Sequence, residues 1–275
     1  MGQLTIDRRT ALLMAVLAPL AASRGLRAEP SATVTPGHDM SGMPASWTRA
    51  DSIAMLCYPR MTILDLIGPQ YMFASLMGAS VHLVAKSRDP ITSDTGVTIV
   101  PSATFDECPR DLTVLFVPGG TDGTLAAMRD DATREFVADR GSRARYVTSV
   151  CTGALVLGAA GLLKGHRATT HWAALETLPD FGATPIAERV VRDRNRITGA
   201  GVTAGLDFGL TMVSELRDET YAQGVQLICE YDPAPPFNAG STRTAPPEVK
   251  TMMEQMFVSF PSQVRDTLRQ ISGIS

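Results

Sequence analysis

Positive charge is not in excess in this chain. Its 275 residues carry a formal net charge of -3 and a sequence pI near 5.8. Nothing global therefore points to nucleic acid. The longest charged cluster, 189–196 (RVVRDRNR), mixes both signs and reads as a solvated hairpin. Apolar runs long enough to span a bilayer are missing too; the N-terminal one, Ala11 to Ala22, is too short. Four cysteines (Cys57, Cys108, Cys151, Cys229) show no C-x-x-C or other metal spacing. An even count invites disulfides in an exported protein. Yet Cys57 sits in an apolar strand, Cys229 near a helix end and Cys108 in a polar loop, so no disulfide framework is expected. No 20–50-residue repeat and no second domain are visible. What is present, 44% hydrophobic and 19% charged residues, suits one substantial core.

Residues 1–28 stand apart. Arg8 and Arg9 precede the short apolar run, and Ala28 or Ala22 offers a small residue for cleavage. The pattern resembles a twin-arginine signal, which implies a folded protein delivered to the periplasm and free of the membrane once the signal is removed. An uncleaved anchor or a misplaced start is the alternative. Residues 29–50 are rich in Pro, Ser, Gly and Thr and read as a flexible linker. His38, Met40 and Met43 are soft ligands within it. Three of them on a flexible segment do not carry a metal assignment.

From Ser52 the pattern becomes β-α. SIAMLCY, VHLVAK, TVLFVPGG and RYVTSV are short apolar runs of buried-strand type. TSDTGVTIVP and RVVRDRNRITG read as hairpins. Helices are expected over 70–77, 122–139, 172–178 and 203–230, with a small-residue helix after Cys151. A last helix over 248–272 would dock on the body or on a partner. Strands alternating with helices predict a mostly parallel sheet covered on both faces.

Cys151 follows an apolar strand and opens a helix. Such a turn exposes a side chain at the carboxyl edge of the sheet, where helix N–H groups favour a thiolate. Gly153 allows a tight turn there. The arrangement resembles the nucleophile elbow of hydrolases with Cys in place of Ser. A buried small hydrophobe would read the same locally. Gly119 and Gly120 end a strand, so their N–H groups are candidate donors to a charge developing on substrate; a tight turn is the alternative. Asp65 lies in an apolar stretch, where a carboxylate needs a partner and where burial raises its pKa for proton transfer. It would otherwise cap the helix after Gly68-Pro69. His171, 20 residues after the cysteine, is a candidate to orient or deprotonate the thiol, or a structural histidine.

The stretch SVCTGALVLGAAGLLKGHRATTHW resembles the cysteine-elbow region of the ThiJ/PfpI family, within the glutamine-amidotransferase-like superfamily. LDLIGPQYMF, VPGG, ITGAGVTAGLDFGL and EYDPAPPF extend the likeness over 52–240. Thr152, where the protease-like members have His, and Asp65, where other branches have Glu, are similar to the isonitrile hydratase branch. The resemblance implies a flavodoxin-like three-layer α/β/α sandwich with a mostly parallel sheet in one domain (51–240), followed by a tail (241–275). It implies a hydro-lyase type of reaction, isonitrile to N-substituted formamide. Cys151 would attack the isonitrile carbon and form a thioimidate. Asp65 would donate a proton and later help activate water, and Thr152 would position substrate or water. Gly119, Gly120, Gly153 and His171 would line the site. No cofactor or metal is implied. The expected partners are a small-molecule substrate and a second copy in a homodimer, and neither nucleic acid nor membrane. A redox-sensing or protective protein is the main alternative, with sulfinic acid formed at Cys151. A ligand-sensing domain of a transcription regulator is a third, disfavoured by the short tail and by export.

Overall fold

The computed structural model describes residues 43–272. The proposed signal, most of the linker, His38 and Met40 lie outside the described residues. Met43 is exposed.

The central strands are mostly apolar, with Thr148 and Ser149 buried among them, and both faces of each are covered. They are β1 (Ser52–Leu56), β6 (Val114–Val117) and β7 (Tyr146–Val150), buried almost throughout. To one side lie β2 (Ser80–Ala85) and β5 (Ala103–Thr104), to the other β11 (Arg196–Gly199) and β10 (Val190–Asp193). The seven-stranded order is β10-β11-β7-β6-β1-β2-β5, parallel except for the β10–β11 hairpin. Two small pairs complete the strands. They are the expected hairpin β3 (Ile91–Thr92) with β4 (Thr98–Ile99), and β8 (Arg167–Ala168) with β9 (Thr184–Pro185). Chain order runs outward from β1 through β2 to β5 in one direction and from β6 to β7 in the other, where the β11–β10 hairpin closes the edge. The β1/β6 boundary is thus the switch point, where the carboxyl ends of strands leave a crevice.

Helices α1 (Ile63–Ala74), α5 (Ala204–Leu216) and α6 (Glu219–Ile228) form one group. The other comprises α2 (Thr121–Arg129), α3 (Asp131–Arg143), α4 (Gly153–Ala159), the 3-10 segment Trp172–Phe181 and α8 (Phe260–Ser272). This is the three-layer flavodoxin-like sandwich. Phe73 of α1, Phe116 of β6 and Phe208 of α5 meet at ring separations of 5.5–6.2 Å and are fully buried. The helices α1 and α5 approach closely because Gly205 faces Pro69 and Gly209 faces Met72, where an added methyl would sit 3.2 and 2.5 Å from those side chains.

Several boundaries differ from the sequence reading. The first helix begins at Ile63, not Gln70, and Pro69 lies inside it. Asp65 is therefore in its first turn and does not cap a later helix. The expected helix 122–139 is two, divided at Asp130, whose carboxylate accepts from the Thr133 N–H at 2.9 Å. The expected helix 203–230 is divided at Arg217-Asp218, and Asp218 caps α6 through Tyr221 N–H. The expected 248–272 helix is α7 (Pro247–Met256) and α8. Residues 45–50, read as linker, are docked: Trp47 donates to Asp218 at 2.6 Å and packs edge-on against Tyr221. All four cysteines are free thiols.

Candidate functional site

Three loops converge on the carboxyl edge around the switch point. From β7 comes Cys151, held at φ 56°, a left-handed conformation rare for a residue with a side chain. Its N–H donates to Ala200 O at 2.9 Å and Gly199 O at 3.1 Å, and its carbonyl accepts from Thr170 Oγ1 at 2.8 Å. These bonds hold the elbow that the strand-Cys-helix pattern predicts. Gly153 permits it through close packing: a methyl there would lie 2.2 Å from Val117 O and 2.7 Å from Pro118 O.

From α1 comes Asp65, fully buried. The helix start that carries it is fixed twice, by Thr62 N–H on Gly119 O at 2.8 Å and by Ile63 N–H on Asp94 Oδ1 at 3.2 Å. Asp65 Oδ2 accepts from Gly119 N–H at 3.0 Å, while Oδ1 is buried without a well-formed partner among the described residues. The carboxyl is close enough to the Cys151 thiol for each to shift the other's protonation. Burial pushes Asp65 up to about 7, against the pull of the thiol and Gly119 N–H.

The thiol itself departs from expectation. A helix N-terminus was expected to favour thiolate. The N–H groups of Thr152 and Val202 do pull the Cys151 pKa down, but burial and the Asp65 carboxylate outweigh them and raise it well above the ordinary thiol value. The resting sulfur is a protonated thiol beside a carboxyl that titrates near neutrality. Such a pair can make a thiolate on demand, by passing the thiol proton to Asp65.

From β6 come Gly119 and Gly120, which were expected to offer free N–H donors to substrate. Both donors are already used: Gly119 N–H holds Asp65, and Gly120 N–H donates to Thr152 Oγ1 at 3.0 Å. They orient the site's side chains instead. A methyl on Gly119 would lie 2.6 Å from Thr152 N, 2.7 Å from Thr152 Oγ1 and 2.8 Å from Asp65 Oδ2, so no side chain is tolerated at this position.

His171 is not among the groups that shift the thiol. Its Nδ1 accepts from Ala173 N–H at 3.3 Å, capping the 3-10 segment, and its ring packs against Trp172 and Phe257. Burial alone lowers its pKa. The ring also covers Gly201, where a methyl would meet it at 2.6 Å, so His171 braces the 199–202 loop behind the thiol. Val202 and Thr170 escaped sequence reasoning because a backbone N–H and a threonine in ATTHW carry no motif of their own. Among the described residues no group of three or more His, Cys, Asp or Glu could hold a metal, and no helix is long and apolar enough to cross a membrane.

Comparison with known proteins places this geometry in a family. The model of the DJ-1/PfpI family matches residues 51–215. The chain belongs to the DJ-1/PfpI family. Among its DJ-1/PfpI relatives is the isonitrile hydratase of Pseudomonas putida, 53% identical over 197 residues, covering 72% of this chain and 86% of that protein. A crystal structure of a ThiJ/PfpI family protein from Pseudomonas syringae is 61% identical, covers 87% of this chain and 98% of that one, and superposes with a TM-score of 0.81. The HTH-type transcriptional regulator GbdR of Pseudomonas aeruginosa is 28% identical over 70% of this chain and 53% of its own.

Proposed function

We propose that the chain hydrates a small isonitrile to the N-substituted formamide through a thioimidate on Cys151. The observation that carries this reading is the buried pair itself, a thiol held at an elbow beside a carboxyl whose pKa is pushed up to about 7. The likeness to the isonitrile hydratase of Pseudomonas putida supports the substrate class.

Ionised Asp65 takes the thiol proton. The thiolate attacks the terminal carbon of R–N≡C, forming C–S, and protonated Asp65 returns the proton to that carbon. The product is R–N=CH–S–Cys151. Water then adds to the same carbon while Asp65 takes one of its protons and delivers it to nitrogen. The tetrahedral adduct expels the sulfur, its hydroxyl proton returns to the thiol, and R–NH–CHO leaves. The balance is one isonitrile plus one water, so a hydro-lyase cycle on these residues needs no redox partner.

A redox-sensing role is less well supported, because oxidation selects accessible low-pKa thiolates and this thiol is buried and raised. The export signal proposed for residues 1–28 would put the reaction in the periplasm. The family resemblance leads us to propose a homodimer as well, which sedimentation of the purified protein tests.

The test is formamide production from cyclohexyl isonitrile by the purified protein beside Cys151→Ala and Asp65→Asn. Activity should vanish in the first variant and fall by at least about 100-fold in the second. Wild-type activity no higher than the Cys151→Ala background would sink the assignment.

A further inference from the structure

Behind Thr152 runs a line of buried hydroxyls that the reaction above does not use. Thr152 Oγ1 lies 2.8 Å from Thr124 Oγ1, which lies 3.3 Å from Tyr58 Oη, and Tyr58 donates to Pro118 O at 2.7 Å. Thr124 is fully buried, Thr152 3% exposed and Tyr58 5%. A buried donor without an acceptor costs about 1–3 kcal/mol, so every proton in the line has to find an oxygen.

That requirement fixes the direction of the line. A carbonyl oxygen only accepts, so the single proton of Tyr58 lies on Pro118 O. Burial holds the phenol well above its ordinary pKa, and it stays protonated. Toward Thr124, Tyr58 is then an acceptor, and the Thr124 proton points at it. Thr124 in turn accepts from Thr152. Gly120 N–H fills one lone pair of Thr152 Oγ1. What Thr152 has left is a second lone pair. Asp65 Oδ2 is its neighbour, since both oxygens lie within 2.8 Å of one point, the position of a β-carbon on Gly119.

We infer that Tyr58 and Thr124 are positioning residues that fix Thr152 as a hydrogen-bond acceptor, which holds the water that attacks the thioimidate. The inference rests on the hydration reading of Cys151. One O–H of the water goes to Thr152 and the other to ionised Asp65, which takes that proton as the C–O bond forms. The water's own lone pair is left for the thioimidate carbon. Reversing the line would turn Thr152 into a donor, and the water would lose the acceptor that orients it.

The step concerned is the second half of the cycle, and that separates it from a general loss of structure. Tyr58→Phe and Thr124→Val would be mixed with cyclohexyl isonitrile and followed by intact mass and steady-state kinetics, with thermal unfolding to establish that each is folded. The expected result is a fall in kcat of roughly 100-fold with kcat/KM nearly unchanged. A Cys151 adduct heavier by one isonitrile should accumulate, and Thr124→Ser should restore turnover. A parallel fall of kcat and kcat/KM without adduct, or a Thr124→Ser variant as impaired as Thr124→Val, would overturn the inference. A neutron structure of the wild-type protein reads the direction without any substrate. Deuterons on Thr152 pointing to Thr124 and on Thr124 pointing to Tyr58 are expected, and a Thr124 deuteron pointing to Thr152 overturns the inference. A wild-type protein inert to isonitriles but with the expected deuterons would defeat the hydration reading, and the water's role with it, while leaving the hydroxyl order intact.

Discussion

At the scale of single residues, the site is governed by how burial distributes one proton between Asp65 and Cys151. Below pH about 7 the carboxyl is protonated and the thiol has no base. Above it, ionised Asp65 faces a thiol that still holds its proton, because that thiol is raised. kcat/KM should therefore climb about tenfold per pH unit on the acid side and level off above pH about 7. Asp65→Asn should flatten that limb; activity that falls between pH 6 and 8 in the wild type would contradict the roles given to the pair. The same shift has a stability consequence of opposite sense. The folded pKa of Asp65 lies above its ordinary value of 3.8, so the folded protein binds the proton more tightly. Its contribution is complete below pH about 4 and is lost as pH rises to about 7. Urea unfolding across that window should show a larger decline for wild type than for Asp65→Asn. Gly119 is the other residue on which the pair depends. Gly119→Ala places a methyl against Thr152 and the Asp65 carboxylate. Overpacking of that kind costs about 1–3 kcal/mol. Catalysis should suffer more than stability, since the methyl separates the two side chains that the proposed cycle uses together.

At the scale of elements, the strands were legible because short, mainly apolar runs such as VLFV between turn signals leave little else to form. Cys151 was legible for the same reason: a strand running straight into a small-residue helix has only one place for the residue between them. Asp65 was found as a costly carboxylate in LDLIGPQ, but its role as a first-turn helix residue was hidden by Pro69. Proline inside a helix is unusual, and here the close approach of Gly205 in α5 makes room for it. The helix breaks at Asp130 and Asp218 were hidden because an aspartate inside a polar run looks like surface until its N–H partner is seen. Tyr58 and Thr124 were illegible, since a hydroxyl line exists only once three elements have been brought together. Another such junction is at Arg217. It is buried and pairs with Asp51 at 2.5 Å, and it also donates to the carbonyls of Trp47, Arg49 and Met77. The pair ties the start of β1 to the end of α5. Arg217→Ala leaves the buried Asp51 carboxylate with only Arg49, at 3.4 Å, beside it, and the expected loss is about 3 kcal/mol. Equilibrium unfolding checks it; a loss below about 1 kcal/mol would mean that the pair is no more than a surface contact.

At the scale of the whole molecule, the tail divides into two helices with opposite surroundings. α7 has no buried residue, while α8 buries Phe260, Val264 and Thr267. Arg129 of α2 donates to Thr267 Oγ1 at 2.7 Å, and Arg265 of α8 pairs with Asp180 and Glu176 beside the 3-10 segment. Thus α8 closes the layer made by α2 and the 3-10 segment, on the same face as Thr124 of α2 and the cap His171. Removal of Val264 packing, rather than loss of the exposed ion pairs, should dominate the effect. Val264→Asp buries a carboxylate with no partner and should destabilise by several kcal/mol, whereas Arg265→Ala should cost less than about 1 kcal/mol. The two variants also ask whether the tail matters to chemistry. Because α8 packs on α2 and the 3-10 segment and not on the elbow itself, Val264→Asp should weaken turnover through the Thr124 side of the site while the first thiol addition persists. Thermal unfolding paired with adduct formation at a temperature where both variants remain folded separates the two effects. Loss of adduct formation under those conditions would show that the tail acts on the thiol's surroundings directly.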